Sequence, residues 1–334
     1  MIEPNASVLV INVARIGDTL LATPVLRAAR AAYPLGRIGC LAHPRRAELL
    51  RGLDWLDELG AITSKTAWAR GRFEGQRWDY ALVYGSDMPL IRYAARVARR
   101  VIAFEPTDSG AQRLLWRAVA KPAALTHVVH EHFLLAAPLG ISRNDGRLSY
   151  RPLEPELAAA RTVLTRLGVA GCRPLIGLQV ASFPTKAYRD WPLGHFAELG
   201  RRTLTEFSQA RILILGGPES RTKADALIAE LGERAVSAAG RFSLRESAAL
   251  MAQLDLYIGV DTGPTHLAGA LGIPMVALYH CRHPGRRFAP LGHPRLRVIE
   301  HPASDADCQP STSMAAISVD EVWAEARSLL DTAN

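Results

Sequence analysis

What most constrains this chain is the alternation of short, continuous apolar runs with amphipathic helical patterns. Residues 8–13 (VLVINV) open the series, followed by 37–42 (RIGCLA), 79–84 (DYALVY) and 100–104 (RVIAF). Such runs suit parallel strands buried on both faces. Helical patterns lie between them. One is 87–98; another is 19–32 (TLLATPVLRAARAA), where Pro24 predicts a local irregularity. The pattern then restarts, with strands predicted at 174–180 (PLIGLQV), 211–215, 255–260 and 274–278. Helices are predicted at 193–206, 219–232, 243–252, 263–271 and 318–331. This order specifies an α/β protein whose parallel sheets are covered by helices on both faces.

A length of 334 residues predicts two domains. The joint reads at RPLEPELAAARTVLTRLGVAGCR, residues 151–173, where prolines precede a short helix and Gly168 and Gly171 follow it. The expected division is 1–152, a linker helix at 153–172, a second domain at 173–317, and a terminal helix at 318–334. Two such units leave a cleft in which ligands sit. Every apolar run is too short for a helix to cross a membrane, so no membrane-spanning helix is expected. The opening segment MIEPNASVLVINV has no basic stretch followed by an apolar one and a cleavage site, so no secretory signal is expected. Cys40, Cys172, Cys281 and Cys308 are far apart and form no CxxC pair. Neither a zinc ribbon nor a disulfide scaffold is expected, and a reducing compartment fits.

Charge is uneven. Residues 1–150 hold 20 basic and 13 acidic side chains, whereas 151–334 hold 20 and 19. An anionic partner for the first half would explain this: nucleic acid, anionic lipid or phosphorylated sugar. So would composition alone, since 36 of the 40 basic residues are arginine. No nucleic-acid-binding signature is present, and no nucleic-acid partner is expected. The strand ends carry no GxGxxG, GxxxxGK[ST] or GxSxG, which disfavours nicotinamide dehydrogenases, P-loop kinases and serine hydrolases.

Four constellations stand where parallel strands end. The first is Ala14-Arg15-Ile16-Gly17-Asp18. Gly17 permits a tight turn or close backbone approach, and Asp18 either caps the helix or points into the cleft. The second is Asp261-Thr262-Gly263-Pro264-Thr265-His266. Free N–H groups and a helix dipole suit phosphate there, with the threonines as added donors; the alternative is a capped helix with a buried histidine. The third, Phe183 to Pro192, holds Lys186 and Arg189, two cations able to neutralise a diphosphate, or else forms a solvated loop pinned by Trp191. The fourth, Gly216-Gly217-Pro218-Glu219, allows close approach, with Glu219 an acceptor for ribose hydroxyls. Asp305-Ala306-Asp307 matches a DxD metal pattern but lies in a late Pro/Ser-rich loop. His127, His130 and His132 read as a polar helix face rather than metal ligands.

Together these motifs resemble the bacterial heptosyltransferases, glycosyltransferase family 9. The similarity runs from residue 8 to about 330, through VLVINVARIGDTLLATPVLRAARAAYP, VDTGPTHLAGALGIP and the segment Met314 to Val322. It implies a GT-B fold, two Rossmann-like doubly wound domains facing across a cleft. Residues 1–152 would take the acceptor and 173–317 the nucleotide-sugar, with the terminal helix packing back on the first domain. It further implies an inverting, metal-independent transfer of heptose from ADP-heptose to a Kdo- and heptose-bearing lipopolysaccharide inner core. Asp18 takes the base position, with Arg15 and Gly17 beside the acceptor. Lys186, Arg189, Gly216, Glu219, Asp261, Thr262, Gly263 and His266 take the nucleotide and phosphates. The resemblance also implies no cofactor, a monomer, and peripheral attachment to the cytoplasmic face of the inner membrane through an anionic lipid-linked acceptor. The loop at Lys186 departs from the family's K-R-W-P or K-H-W-P form, leaving open which cation meets phosphate. Residues Tyr279 to Arg287 replace the usual F-G-x-T-[DN]-P-x-R. Two other readings remain: an epimerase or hydrolase acting on nucleotide-sugars, and a non-catalytic nucleotide-sugar or glycan-binding protein.

Overall fold

The computed structural model describes residues 4–331. The ends of the sequence-derived domains, at residues 1–3 and 332–334, lie outside the described residues. The chain divides into two compact units, Met1–Arg151 and Pro152–Asn334.

The first unit runs β1 (Val8–Asn12), α1 (Ile16–Leu21), α2 (Thr23–Ala32), β2 (Ile38–Ala42), β3 (Glu58–Ala61), α3 (Ser64–Phe73), β4 (Trp78–Tyr84), α4 (Met88–Val97), β5 (Ala98–Phe104), α5 (Ser109–Gln112), β6 (Arg117–Val119) and α6 (Val128–Ala136). Its strands are ordered β3-β2-β1-β4-β5-β6, all parallel. Pro24 does disturb the predicted helix: Ala22 separates α1 from α2, and Pro24 sits in the first turn of α2. One core layer joins Leu9, Ile11, Val83 and Val101 to Ile91, Ala94 and Val97 of α4.

The second unit comprises α7 (Glu154–Arg166), β7 (Leu175–Gln179), α8 (Leu193–Glu206), β8 (Arg211–Leu215), α9 (Arg221–Leu231), β9 (Ala235–Ser237), α10 (Leu244–Met251), β10 (Leu256–Val260), α11 (Gly263–Leu271), β11 (Met275–Tyr279), α12 (Gly285–Phe288), β12 (Leu296–Glu300) and α13 (Val319–Asp331). Its order, β12-β11-β10-β7-β8-β9, repeats the plan of the first unit, again wholly parallel. In both sheets the first strand lies beside the fourth, where successive crossovers run in opposite directions. That switch point opens a crevice beyond the carboxyl ends of the strands.

The helices that flank the second sheet in sequence both lie in the second unit. The helix of the 153–172 linker is part of the second unit: Glu156 on α7 forms a largely buried ion pair with Arg245 on α10. Val322, Ala326, Leu329 and Leu330 of α13 join the core of the second unit, with Leu278 of β11 and Phe196 of α8. Their spacing puts one apolar stripe on one face, and that stripe covers its own sheet.

Candidate functional site

In the first unit the residues after β1 form a candidate site. Asn12, buried at the end of β1, donates from Nδ2 to the Asp18 carbonyl at 3.2 Å. The Thr19 hydroxyl donates to the Arg15 carbonyl at 2.8 Å. His132 of α6 reaches the Leu21 carbonyl through Nδ1 at 3.1 Å; a carbonyl only accepts, so Nδ1 carries the proton. The backbone bearing Asp18 is thereby fixed at three points. Burial pushes the His132 pKa down to about 4, against smaller opposing effects of the Leu21 carbonyl and Asp18.

Asp18 is not the helix cap. Arg15 occupies that position with extended backbone, and Asp18 lies in the first turn beyond it. Among the described residues its carboxylate meets no hydrogen-bond or ion-pair partner. Gly17 lies within α1 and has no positive φ, so of its two expected uses the tight turn is not made. An open pocket of about 550 Å³ is lined by Val13, Ala14, Arg15, Asp18, His43 and Arg46. His43 accepts at Nδ1 from the Arg45 amide (3.2 Å) and from Arg46 (3.3 Å). Desolvation first, then Arg46 and Arg45, hold its pKa below the ordinary histidine value. One unpaired carboxylate thus stands among two arginines and a neutral imidazole.

In the second unit the loop after β7 closes on itself. The Ser182 amide donates to the Asp190 carboxylate at 2.7 Å, and the Ser182 hydroxyl lies 2.7 Å from the Lys186 carbonyl. Lys223 pairs with Asp190 at 2.6 Å. Trp191 is buried and donates to the Ile317 carbonyl at 3.0 Å, anchoring the loop's end. On this frame the two cations differ. Arg189 is largely covered against the buried Asp261, 2.5 Å from its carboxylate and 3.2 Å from its carbonyl oxygen. Lys186 has no carboxylate partner among the described residues; its ammonium lies 5.8 Å from the Tyr188 ring. Both cations hold down the pKa of His283, which desolvation and their charge bring to about 4.

The turn after β10 separates likewise. Thr262 caps α11 with extended backbone; it is half-buried, its hydroxyl 3.4 Å from that of Thr265 and within reach of the buried Tyr257 hydroxyl. Gly263 begins the helix. Thr265 is turned inward, donating to the Val260 carbonyl at 2.5 Å and meeting the Tyr257 hydroxyl at 2.9 Å, so it offers no outward donor. His266 is buried with each ring nitrogen 2.9 Å from a carbonyl oxygen, Nδ1 at Thr262 and Nε2 at Phe288. After β8, Gly216 adopts φ +145°. A Cβ there would stand 2.3 Å from the Ser220 hydroxyl. Glu219 is exposed in the following turn, without a partner among the described residues. Two buried polar atoms nearby, Gln179 Oε1 and Ser220 Oγ, lack hydrogen-bond partners. Asn12, Gln179 and His43 are absent from the sequence-derived site. Asn12 and Gln179 carried a signal, as the polar residues closing the apolar runs that open each unit; His43 carried none.

Two further sequence expectations change. His127 caps α6, accepting from the Val129 amide at 3.2 Å, and with His132 it is buried, so this is not a solvated polar face. Cys281 and Cys308 are joined as a disulfide, where none was expected. Asp305 of the DxD pattern pairs with Arg286, and Asp307 with Ser304.

The family model for glycosyltransferase family 9 (heptosyltransferase) matches residues 92–316. Lipopolysaccharide heptosyltransferase 2 of Salmonella typhimurium is 26% identical over 311 residues, covering 87% of each chain. A family 9 glycosyltransferase from Veillonella parvula superposes with TM-score 0.84 at 19% identity, covering 99% of both chains. The ADP-heptose lipopolysaccharide heptosyltransferase II of Escherichia coli superposes with TM-score 0.77 at 20% identity, covering 98% of this chain and 99% of that one. These structural likenesses, together with the two six-stranded parallel sheets, show the GT-B fold.

Proposed function

Because the chain belongs to glycosyltransferase family 9, the heptosyltransferases, we propose that it transfers heptose from ADP-heptose to a hydroxyl of an anionic lipopolysaccharide inner-core acceptor. Asp18 is the general base. The observation carrying this reading is its unpartnered carboxylate on a backbone fixed at three points, among Arg15, His43 and Arg46. An acceptor hydroxyl must lose its proton as it attacks the anomeric carbon, and a carboxylate free of other partners accepts it. The flanking cations suit the acceptor's phosphate and carboxylate groups. The C1–O bond of the donor breaks as the new one forms, and a single displacement inverts the anomeric configuration. ADP then leaves with charge that the second unit stabilises. Lys186, the Thr262 hydroxyl and the free N–H groups at the start of α11 are the donors for that charge. Arg189 and Asp261 act as a pair that holds the loop after β7 to the turn after β10. His266 ties that turn to Phe288. Gly216 lets the nucleotide approach the backbone, and Glu219 accepts from ribose. This donor set holds a diphosphate without metal. The enzyme works as a monomer in the cytoplasm, on the inner face of the inner membrane, held there by its acceptor and by the basic first unit.

The test is ADP release from ADP-heptose with and without a Kdo-bearing lipid acceptor. Release that needs the acceptor is the expected result. Release without acceptor would favour a hydrolase, and acceptor-free conversion of ADP-heptose into another nucleotide-sugar without net ADP release would favour an epimerase. ADP-heptose binding with no turnover on any inner-core acceptor would favour a binding protein.

A further inference from the structure

The disulfide corner after β11 has a feature that a structural cross-link does not need. The Sγ atoms of Cys281 and Cys308 and a ring nitrogen of His280 all lie within 4.8 Å of one another. His280 and Cys281 are buried, and Cys308 is half-buried, giving the cluster one side toward solvent. The imidazole is set in one tautomer. Its Nε2 faces the Thr312 carbonyl at 3.0 Å and must donate, since a carbonyl only accepts. Its Nδ1 accepts the Arg282 amide at 3.1 Å, so it bears a lone pair, and it stands 3.7 Å from Cys281 Sγ. A ligating histidine takes this form: one nitrogen bearing a lone pair, here held by a single amide, the other fixed by a backbone carbonyl. That nitrogen–sulfur separation also suits two ligands on one tetrahedral ion, whose bonds run about 2.3 Å to sulfur and about 2.0 Å to nitrogen.

We infer that in the reduced chain Cys281, Cys308 and His280 form a three-ligand site for a thiophilic divalent cation of the zinc class, with water in the fourth position. Disulfide and cation compete for the same two sulfurs. Opening the disulfide takes two electrons from a dithiol reductant, which leaves as its own disulfide. Each cysteine thiol then gives up a proton as it ligates. The cation takes over the Nδ1 lone pair from the Arg282 amide. Either occupant ties the segment around Cys308 to the end of β11. That segment continues to Thr312 and Ser313, whose carbonyls meet His280 and His301 at 3.0 Å each. Tyr188 stands edge-on to His280 with centroids 5.1 Å apart, so the clamp also backs the loop that carries Lys186. No ligand of this site is itself one of the donor or acceptor residues of the proposed sugar transfer.

The experiment uses the full chain, reduced with a phosphine and desalted without oxygen, then titrated with cobalt(II) and, separately, zinc. The expected result is about one zinc retained per chain and a thiolate-to-cobalt charge-transfer band in the near ultraviolet. Oxidised protein should show neither. In the Cys281→Ser and Cys308→Ser variants the band should disappear, while a cooperative unfolding transition and wild-type circular dichroism report a folded chain. In His280→Ala, zinc affinity should fall at least about ten-fold with the band shifted. Absence of both zinc and the band in reduced wild-type protein would overturn the inference. So would a band that survives in the Cys281→Ser, Cys308→Ser double variant, which would assign it to Cys40 or Cys172. The oxidised and reduced wild-type pair keeps the test decisive even where a variant does not fold.

Discussion

At the scale of single residues, a free group and a paired group of the same charge should behave in opposite ways when removed. Asp18→Asn deletes a carboxylate that supports no other contact. Transfer should fall by about 10²–10⁴-fold, with thermal stability and ADP affinity unchanged; a rate within ten-fold of wild type would remove Asp18 from the base role. The two cations of the second unit make a sharper contrast. Lys186 has no carboxylate to neutralise, so Lys186→Ala should leave stability intact and weaken ADP binding at least about ten-fold, as titration calorimetry would report. Arg189 is largely covered against Asp261. Arg189→Ala removes the cation from a largely buried ion pair and should destabilise the chain in urea unfolding by up to about 3–5 kcal/mol. If the two variants show the reverse pattern, the assignment of free and structural cation is wrong. His132 gives a pH signature. Its folded pKa of about 4 lies below the ordinary histidine value of 6.5. The unfolded chain therefore takes up a proton in this window more readily than the folded one. The stability held by the neutral ring is complete above pH 6.5 and is lost as pH falls toward 4. Relative to His132→Gln, wild type should lose on the order of 3 kcal/mol across that interval. Parallel curves would mean that the ring is not held neutral.

At the scale of elements, what the hydropathy pattern reveals depends on where a strand sits. All eight predicted strands are present, and each borders strands on both sides of its sheet. Buried on two faces, they must be apolar throughout, and a continuous apolar run is visible in sequence. The four strands without such a signal, β3, β6, β9 and β12, are the sheet edges. β3 alternates half-buried and exposed residues, and β12 (LRVIE) has only Ile299 buried. Their place is set by pairing with an existing sheet, which no local pattern reports. The site divides in the same way. Asp18, Lys186 and Thr262 are legible because polar residues break in abruptly at the ends of apolar strands. The Arg189–Asp261 pair, whose partners are distant in sequence, and the inward turn of Thr265 depend on packing and are not. Glycine roles are legible only in part. Gly17 lies in ordinary helix, whereas Gly216 has a backbone conformation that L-residues rarely adopt, with the Ser220 hydroxyl where a Cβ would go. Gly216→Ala should therefore cost about 1–3 kcal/mol and lower ADP affinity by shifting the turn before Glu219. An alanine variant with wild-type melting temperature and ADP affinity would show that the turn tolerates a side chain.

At the scale of the whole molecule, one topology is used twice, with matching devices at matching places. The Ser7 amide, just before β1, donates to Asp79 of β4 at 2.9 Å. The amide of Leu175, which opens β7, donates to Asp255, just before β10, at 2.6 Å. In each unit the first strand is thus tied at its start to the fourth, and it ends in an amide side chain, Asn12 or Gln179. The sequence has no short-period repeat, because the likeness lies in topology and burial rather than in residue identity. Each unit also has its own core, and α13 contributes to that of the second. Two consequences follow for residues 152–334 expressed alone. They contain every element of the second sheet with the helices that cover it, and should fold with a single cooperative transition. They also contain Lys186, Thr262, Gly263, Gly216 and Glu219, and should bind ADP within about ten-fold of the full chain, raising the melting temperature as expected for a ligand that binds only the folded state. They lack Asp18, so acceptor-dependent ADP release should be absent. Loss of folding in this fragment would show that α13 and the second sheet need the first unit. Folding without ADP binding would show that first-unit residues complete the donor site.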